Sequence, residues 1–102
     1  MNSDARALLI QDGDNVAVAL EDIPEGAMVQ VSGSSSGAFQ VKALQPTPFA
    51  HKIAVRAVSK ASPVIKYGAP VAAATADIEV GAWVHGHNAE SIYARRPGKG
   101  KP

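Results

Sequence analysis

The segment Asp22-Ile23-Pro24-Glu25-Gly26-Ala27-Met28-Val29 returns as Asp77-Ile78-Glu79-Val80-Gly81-Ala82-Trp83-Val84, giving the shared pattern D-I-x-x-G-A-x-V. Each copy reads as an Ile entering the core, a Gly free to take positive φ in a tight turn, and a Val opening the next strand. Strand–turn–strand units repeated without helices point to a small all-β fold. Two copies are too few for a solenoid. A degenerate third relative is visible in "VSKASPV", residues 58–64.

The rest of the chain agrees with that reading. Short apolar runs recur: "ALLI" at 7–10, "NVAVAL" at 15–20, "AMVQV" at 27–31, "AFQV" at 38–41, "KIAVRAV" at 52–58 and "PVI" at 63–65. Val16, Val18 and Leu20 alternate with alanines, and period-two patterning in β-branched residues predicts strands. "QDGDN", "PEG", "SGSSSG" and "QPTP" supply turns between the runs. "GSSSG" at 33–37 is polar and flexible, a hairpin tip or a mobile loop. Only "APVAAATA" at 69–76 has helical tendency, and Pro and Gly flank or interrupt it.

With 102 residues, 46% of them hydrophobic and 5% aromatic, one domain with an aliphatic core is expected. Cysteine is absent, which excludes disulfides, thiolate zinc sites and thiol nucleophiles. The N-terminus lacks the apolar core of a signal peptide, and no apolar run approaches a membrane span; a soluble, cytoplasmic protein is the expectation. Residues 1–94 carry six Lys/Arg against nine Asp/Glu, while "RRPGKGKP" adds four cations to give a net charge of +1. That basic end, residues 93–102, reads as a disordered tail. Nucleic-acid binding is not expected, because the body is acidic and has no aromatic platform.

Chemistry concentrates in a few side chains. "VHGHN" at 84–88 holds His85 and His87, two of the three histidines. On a strand both imidazoles would project from one face. Such a pair can bind a divalent ion, but two ligands make an incomplete site, and the alternative is a solvent-facing pair at a strand end. Asn88 could hydrogen-bond a substrate hydroxyl or end the strand as a turn residue. His51 could serve as acid, base or ligand near neutrality, or pack as a loop histidine on Phe49. Lys66 could pair with a carboxylate and Tyr67 donate a hydrogen bond; otherwise they are a solvated lysine and a tyrosine at the core rim. Trp83 reads as a packing residue. No nucleophile elbow, P-loop or dinucleotide fingerprint is present, so the chain reads as half of a site.

Three motifs, His51-Lys52, Ile65-Lys66-Tyr67-Gly68 and His85-x-His87-Asn88, occur in an order that resembles the small SAF (β-clip) domain of the altronate and galactarate dehydratases. The same module stands alone as the small subunit of sulfolactate sulfo-lyase. The resemblance covers about residues 14–92, with residues 1–13 left as an N-terminal extension or edge strand. Ala50 stands where that family commonly has Gly, and Pro70-Val71-Ala72 where it often has Pro-Ile-Gly. An alanine at such a position calls for a more conventional backbone.

The resemblance implies a small all-β fold of short strands and a lyase subunit inactive without a large partner. Such enzymes remove a group β to a carboxylate from a hydroxy acid: water from a sugar acid, or sulfite from sulfolactate. It further implies catalytic roles for His51, His85 and His87, substrate contacts from Lys66, Tyr67 and Asn88, and a divalent metal, iron foremost, on His85 and His87. The base would reside on the partner; homo-oligomerisation is compatible. The rival readings are a non-catalytic module that binds sugar acids and a structural self-association module.

Overall fold

Residues 4–92 are described by the computed structural model, and within them the chain forms nine short strands and no helix. They are β1 (Ala5–Leu8), β2 (Val16–Ala19), β3 (Met28–Ser32), β4 (Phe39–Lys42), β5 (Lys52–Ala54), β6 (Pro63–Lys66), β7 (Ala69–Ala74), β8 (Trp83–Val84) and β9 (Ala89–Ser91). Six form a sheet in the order β4-β3-β1-β2-β5-β8, and three form a second in the order β6-β7-β9. The all-β expectation holds. The basic end expected to be disordered lies outside the described residues.

The two D-I-x-x-G-A-x-V copies are built bond for bond alike. In the first, Asp22 Oδ1 accepts from the Phe49 amide at 2.8 Å, Ile23 bridges Thr47, and the Gly26 amide donates to the Ala43 carbonyl at 2.8 Å. In the second, Asp77 Oδ1 accepts from the Lys60 amide at 2.8 Å, Ile78 bridges Val58, and the Gly81 amide donates to the Ala54 carbonyl at 2.8 Å. Both glycines hold positive φ, 87° and 94°, as the turn requires. The strand leaving each motif then pairs in the same register: Met28 with Lys42 and Val29 with Val41 in one, Trp83 with Ile53 and Val84 with Lys52 in the other.

"VSKASPV" is therefore not a third copy. Val58 is the bridge partner of the second, standing where Thr47 stands for the first. It looks similar in sequence because a bridge partner also needs an apolar or β-branched residue on extended backbone.

The copies differ at one edge. β1 runs parallel along β3, with Ala5 opposite Val29 and Ala7 opposite Val31, and pairs with β2 on its other side. Residues 5–8 are thus an interior strand, correcting the expectation of an extension or edge. Their small buried alanines let two neighbouring strands close over them. Among the described residues no strand covers the outer edge of β8. Side-chain amides take its place: the Trp83 amide donates to Gln45 Oε1 at 3.0 Å, and Asn88 Nδ2 donates to the Trp83 carbonyl at 2.9 Å.

Two apolar cores result. Ala17 and Ile53 point into one, with Ile23, Val29 and Val31; Val16 and Ala54 point into the other, with Val64, Ile78 and Val84. β2 and β5 separate the cores and are buried on both faces, which is why "NVAVAL" is apolar at nearly every position. The "APVAAATA" stretch is strand over Ala69–Ala74 rather than helix, because Ala72 and Ala74 fill narrow space in the second core. Tertiary packing overrides alanine's helical propensity here.

Polar clasps join the halves. Asp14 is fully buried; its carboxylate accepts from the amides of Gln11 at 3.2 Å, Tyr67 at 3.0 Å and Gly68 at 2.8 Å. Asn15 Oδ1 accepts from the Ile65 amide at 2.7 Å, and its Nδ2 donates to the Pro63 carbonyl at 3.0 Å. Tyr67 (φ 60°) and Gly68 (φ 76°) form the two-residue loop between β6 and β7, where positive φ at both positions suits a type I′ turn. The "GSSSG" segment tips the β3–β4 hairpin and is tethered through Ser35, whose amide donates to Asp12 Oδ1 at 2.9 Å. Finally, Ala50 adopts φ 71°, and Ala61 in the matching turn 75°. The expectation of a conventional backbone at Ala50 is overturned, because the surrounding bonds to Ala19 on β2 fix the turn whatever the residue.

Candidate functional site

All three histidines collect around the single tryptophan. β5 and β8 bring them there: His51 immediately precedes β5, Trp83 lies on β8 opposite Ile53, and His85 and His87 follow in the turn that closes β8. Trp83 Nε1 donates to His51 Nδ1 at 3.1 Å. The His85 ring stacks on the indole at 5.1 Å and 9°, the His87 ring lies 5.1 Å from it at 44°, and His51 and His85 are 4.9 Å apart. Such separations are those of aromatic packing.

The grouping arises differently from the strand alternation expected. β8 ends at Val84, so the two histidines ride a turn and not a strand face. Asn88 makes that turn: its Oδ1 accepts from the His85 amide at 3.0 Å while its Nδ2 caps Trp83. Buried and engaged with backbone at both ends of its amide, Asn88 supports the histidines from beneath. His51 packs on Trp83 and His85, whereas Phe49 is 60% exposed.

Two hollows open beside this cluster. One, of about 470 Å³, is lined by Lys52, Val71, Ala72, Val84, His85 and residues after it. The other, of about 400 Å³, has His87, Asn88, Gln45, Asp77 and Glu79 in its wall. His85 and His87 thus share the indole but face different cavities.

Lys52 is half-buried in the first hollow, and burial, with the positive charge of Lys66 second, pushes its ammonium below the usual lysine range. Lys52 in the wall of a partly apolar hollow, with Lys66 near enough to act on it, favours an anionic occupant. Lys66 lies 5.1 Å over the ring of Tyr67, whose own place is the exposed hairpin tip held by Asp14. The structure thus gathers His51, His85 and His87, sets Lys52 and Lys66 within electrostatic reach, and leaves Tyr67 at the turn. Sequence reasoning gave Lys52 no site role beyond its place in the His51-Lys52 motif and read Trp83 as packing alone. The adjacency of Lys52 to His51, and the place of Trp83 two residues before His85, were the available signals.

Among the described residues no group of three or more His, Asp and Glu is placed to hold a metal ion. His85 and His87 supply half a tetrahedral set at most. By themselves the described residues do not form a metal centre.

Residues 5–92 match the family described as the altronate/galactarate dehydratase SAF domain. The chain belongs to that family. Its SAF-domain relatives include altronate dehydratase of Escherichia coli (strain K12), 44% identical over 75 residues, covering 74% of this chain and 14% of that protein. Altronate dehydratase of Bacillus subtilis (strain 168) is 32% identical over 82 residues, 80% of this chain and 16% of that one. Subunit alpha of (2R)-sulfolactate sulfo-lyase from Paracoccus pantotrophus is 34% identical over 64 residues, 63% of this chain and 96% of the subunit. The chain therefore spans a small fraction of the dehydratases and nearly all of the sulfo-lyase subunit it matches. Among the described residues no helix is long and apolar enough to cross a membrane.

Proposed function

We propose that this SAF domain is the small component of a lyase that eliminates water or sulfite from a hydroxy acid, working with a larger catalytic chain. The observation that carries the reading is the three-histidine cluster beside a hollow walled by the half-buried Lys52. Lys52, assisted by Lys66, holds the substrate carboxylate. Elimination β to a carboxylate builds negative charge on that group and on the departing atom. The cations answer the first, and an imidazole N–H donates a hydrogen bond to the second. The base that removes the α-proton comes from the partner, since the hollow's described lining residues include no Asp or Glu. The divalent ion that the family resemblance implies, iron foremost, on His85 and His87 would need both rings turned toward one cavity and further ligands from the larger chain.

Relatives support the division of labour: in altronate dehydratase the matched region is a small part, and in the sulfo-lyase it is a subunit called alpha. The test is gentle purification of the tagged chain from its own cell, followed by turnover assays with altronate, galactarate and sulfolactate. Recovery with a larger chain, and elimination from one of these acids, is the expected result. A free chain, or a complex that binds such an acid without turning it over, would give the binding-module reading the lead.

A further inference from the structure

The bond between Trp83 and His51 has a chemical consequence. The indole Nε1–H is a donor and nothing else. Its partner at 3.1 Å, His51 Nδ1, must therefore present a lone pair. In a neutral imidazole that places the proton on Nε2, the nitrogen turned away from the indole. The ring is thus held as a donor on its far side and cannot offer both nitrogens as acceptors. Its plane is fixed too, packed on Trp83 at 5.7 Å and on His85 at 4.9 Å. Trp83 is in turn held rigidly. Its amide is bonded to Gln45, its carbonyl to Asn88, and its ring stacks on His85.

We infer that Trp83 is a positioning residue that fixes His51 in the Nε2–H tautomer, making His51 the hydrogen-bond donor the cluster turns toward the departing group. The functional half rests on the lyase reading; the tautomer half does not. His51 then differs in role from His85 and His87, whose nitrogens carry no such bond to the indole. As the bond to carbon breaks, the departing oxygen, or the departing sulfite, keeps the bonding electron pair. The His51 Nε2–H stabilises that charge by a hydrogen bond to oxygen while keeping its proton. The proton leaving the α-carbon goes to the partner's base. The pseudo-equivalent position in the first motif carries Met28, which has no donor, so the device belongs to one half of the fold.

The first arm uses the full chain, labelled with nitrogen-15, at a pH well above the ordinary imidazole range. Long-range proton–nitrogen spectra should show His51 as Nε2–H alone, with scalar coupling between Trp83 Nε1 and His51 Nδ1. Trp83→Phe keeps the ring stack and removes the donor. It should abolish the coupling and let the Nδ1–H form appear, with the melting temperature reporting whether the fold survives. His51→Ala should free the indole proton, seen as faster exchange with solvent. A wild-type ring protonated on Nδ1, or an unchanged tautomer ratio in Trp83→Phe, overturns the inference.

The second arm assays the assembled lyase. Trp83→Phe should lower kcat roughly tenfold, the size typical of removing a partner that orients a working histidine, with KM little changed. A changed tautomer ratio with unchanged kcat removes the positioning role while leaving the bond. Failure of the wild-type complex to turn over any acid would remove the lyase reading, and the spectra would still decide the tautomer.

Discussion

At the scale of single residues, the cluster separates side chains that act from side chains that hold. His85 and His87 are exposed and make their ring contacts with Trp83, whereas Asn88 is buried beneath them. His85→Ala with His87→Ala should leave the melting temperature nearly unchanged, within about 0.5 kcal/mol of stability, while activity of the assembled enzyme falls greatly. Asn88→Ala should instead cost about 2 kcal/mol, because the Trp83 carbonyl and His85 amide lose their partner. Thermal melts and turnover on the same proteins separate the two. Full activity in the double histidine variant would remove the site.

Lys52 gives a pH signature at the same scale. Its folded value lies below the ordinary 10.5, so as pH rises the folded chain gives up this proton before the unfolded chain does. Stability then rises with pH from the lowered value up to 10.5, and below that window Lys52 adds no slope. Lys52→Met should remove this alkaline gain, measured as denaturation midpoints across the alkaline range. An occupant carboxylate would act oppositely and raise the lysine back toward its ordinary range.

Elements show why two equivalent glycines are unequal. A Cβ at Gly26 meets nothing within 4 Å, while at Gly81 it would stand 2.0 Å from the Lys42 carbonyl oxygen. Gly26→Ala should cost about 1 kcal/mol for its positive φ. Gly81→Ala should cost about 3 kcal/mol or more, since backbone must move as well. Equal costs in denaturant titrations would contradict the interlocking of β8 with the end of β4. The Ala50 turn argues in the other direction. Its φ of 71° strains an alanine, so Ala50→Gly should stabilise the chain by about 1 kcal/mol. A loss of stability there would show that the turn is not left-handed in solution.

For the whole molecule, one buried carboxylate is a main polar link between the two halves. Asp14 ties the turn after β1 to the β6–β7 hairpin, three amides converging on it. Asp14→Ala should lower stability by about 3 kcal/mol. Hydrogen exchange should then quicken first at Tyr67 and Gly68, in the second sheet. A variant as stable as the wild type would mean that the Asn15 bonds and the apolar contacts hold the halves without Asp14.

The sequence by itself determined the all-β class, the duplicated turn and the residues capable of chemistry. Period-two apolar order and glycine turns are local properties, and a histidine is reactive wherever it lies. The motif order from His51 to Asn88 also carried the family, because it compresses non-local geometry into a recognisable string. Only the tertiary structure decided that β1 is interior, that Val58 answers Ile78, and that residues 69–74 are strand. Those outcomes depend on which strand edges meet, and no window of the chain contains both partners. The same holds at the site. Nothing local to Trp83 says that its indole will reach His51, because that bond exists only once β5 and β8 lie side by side.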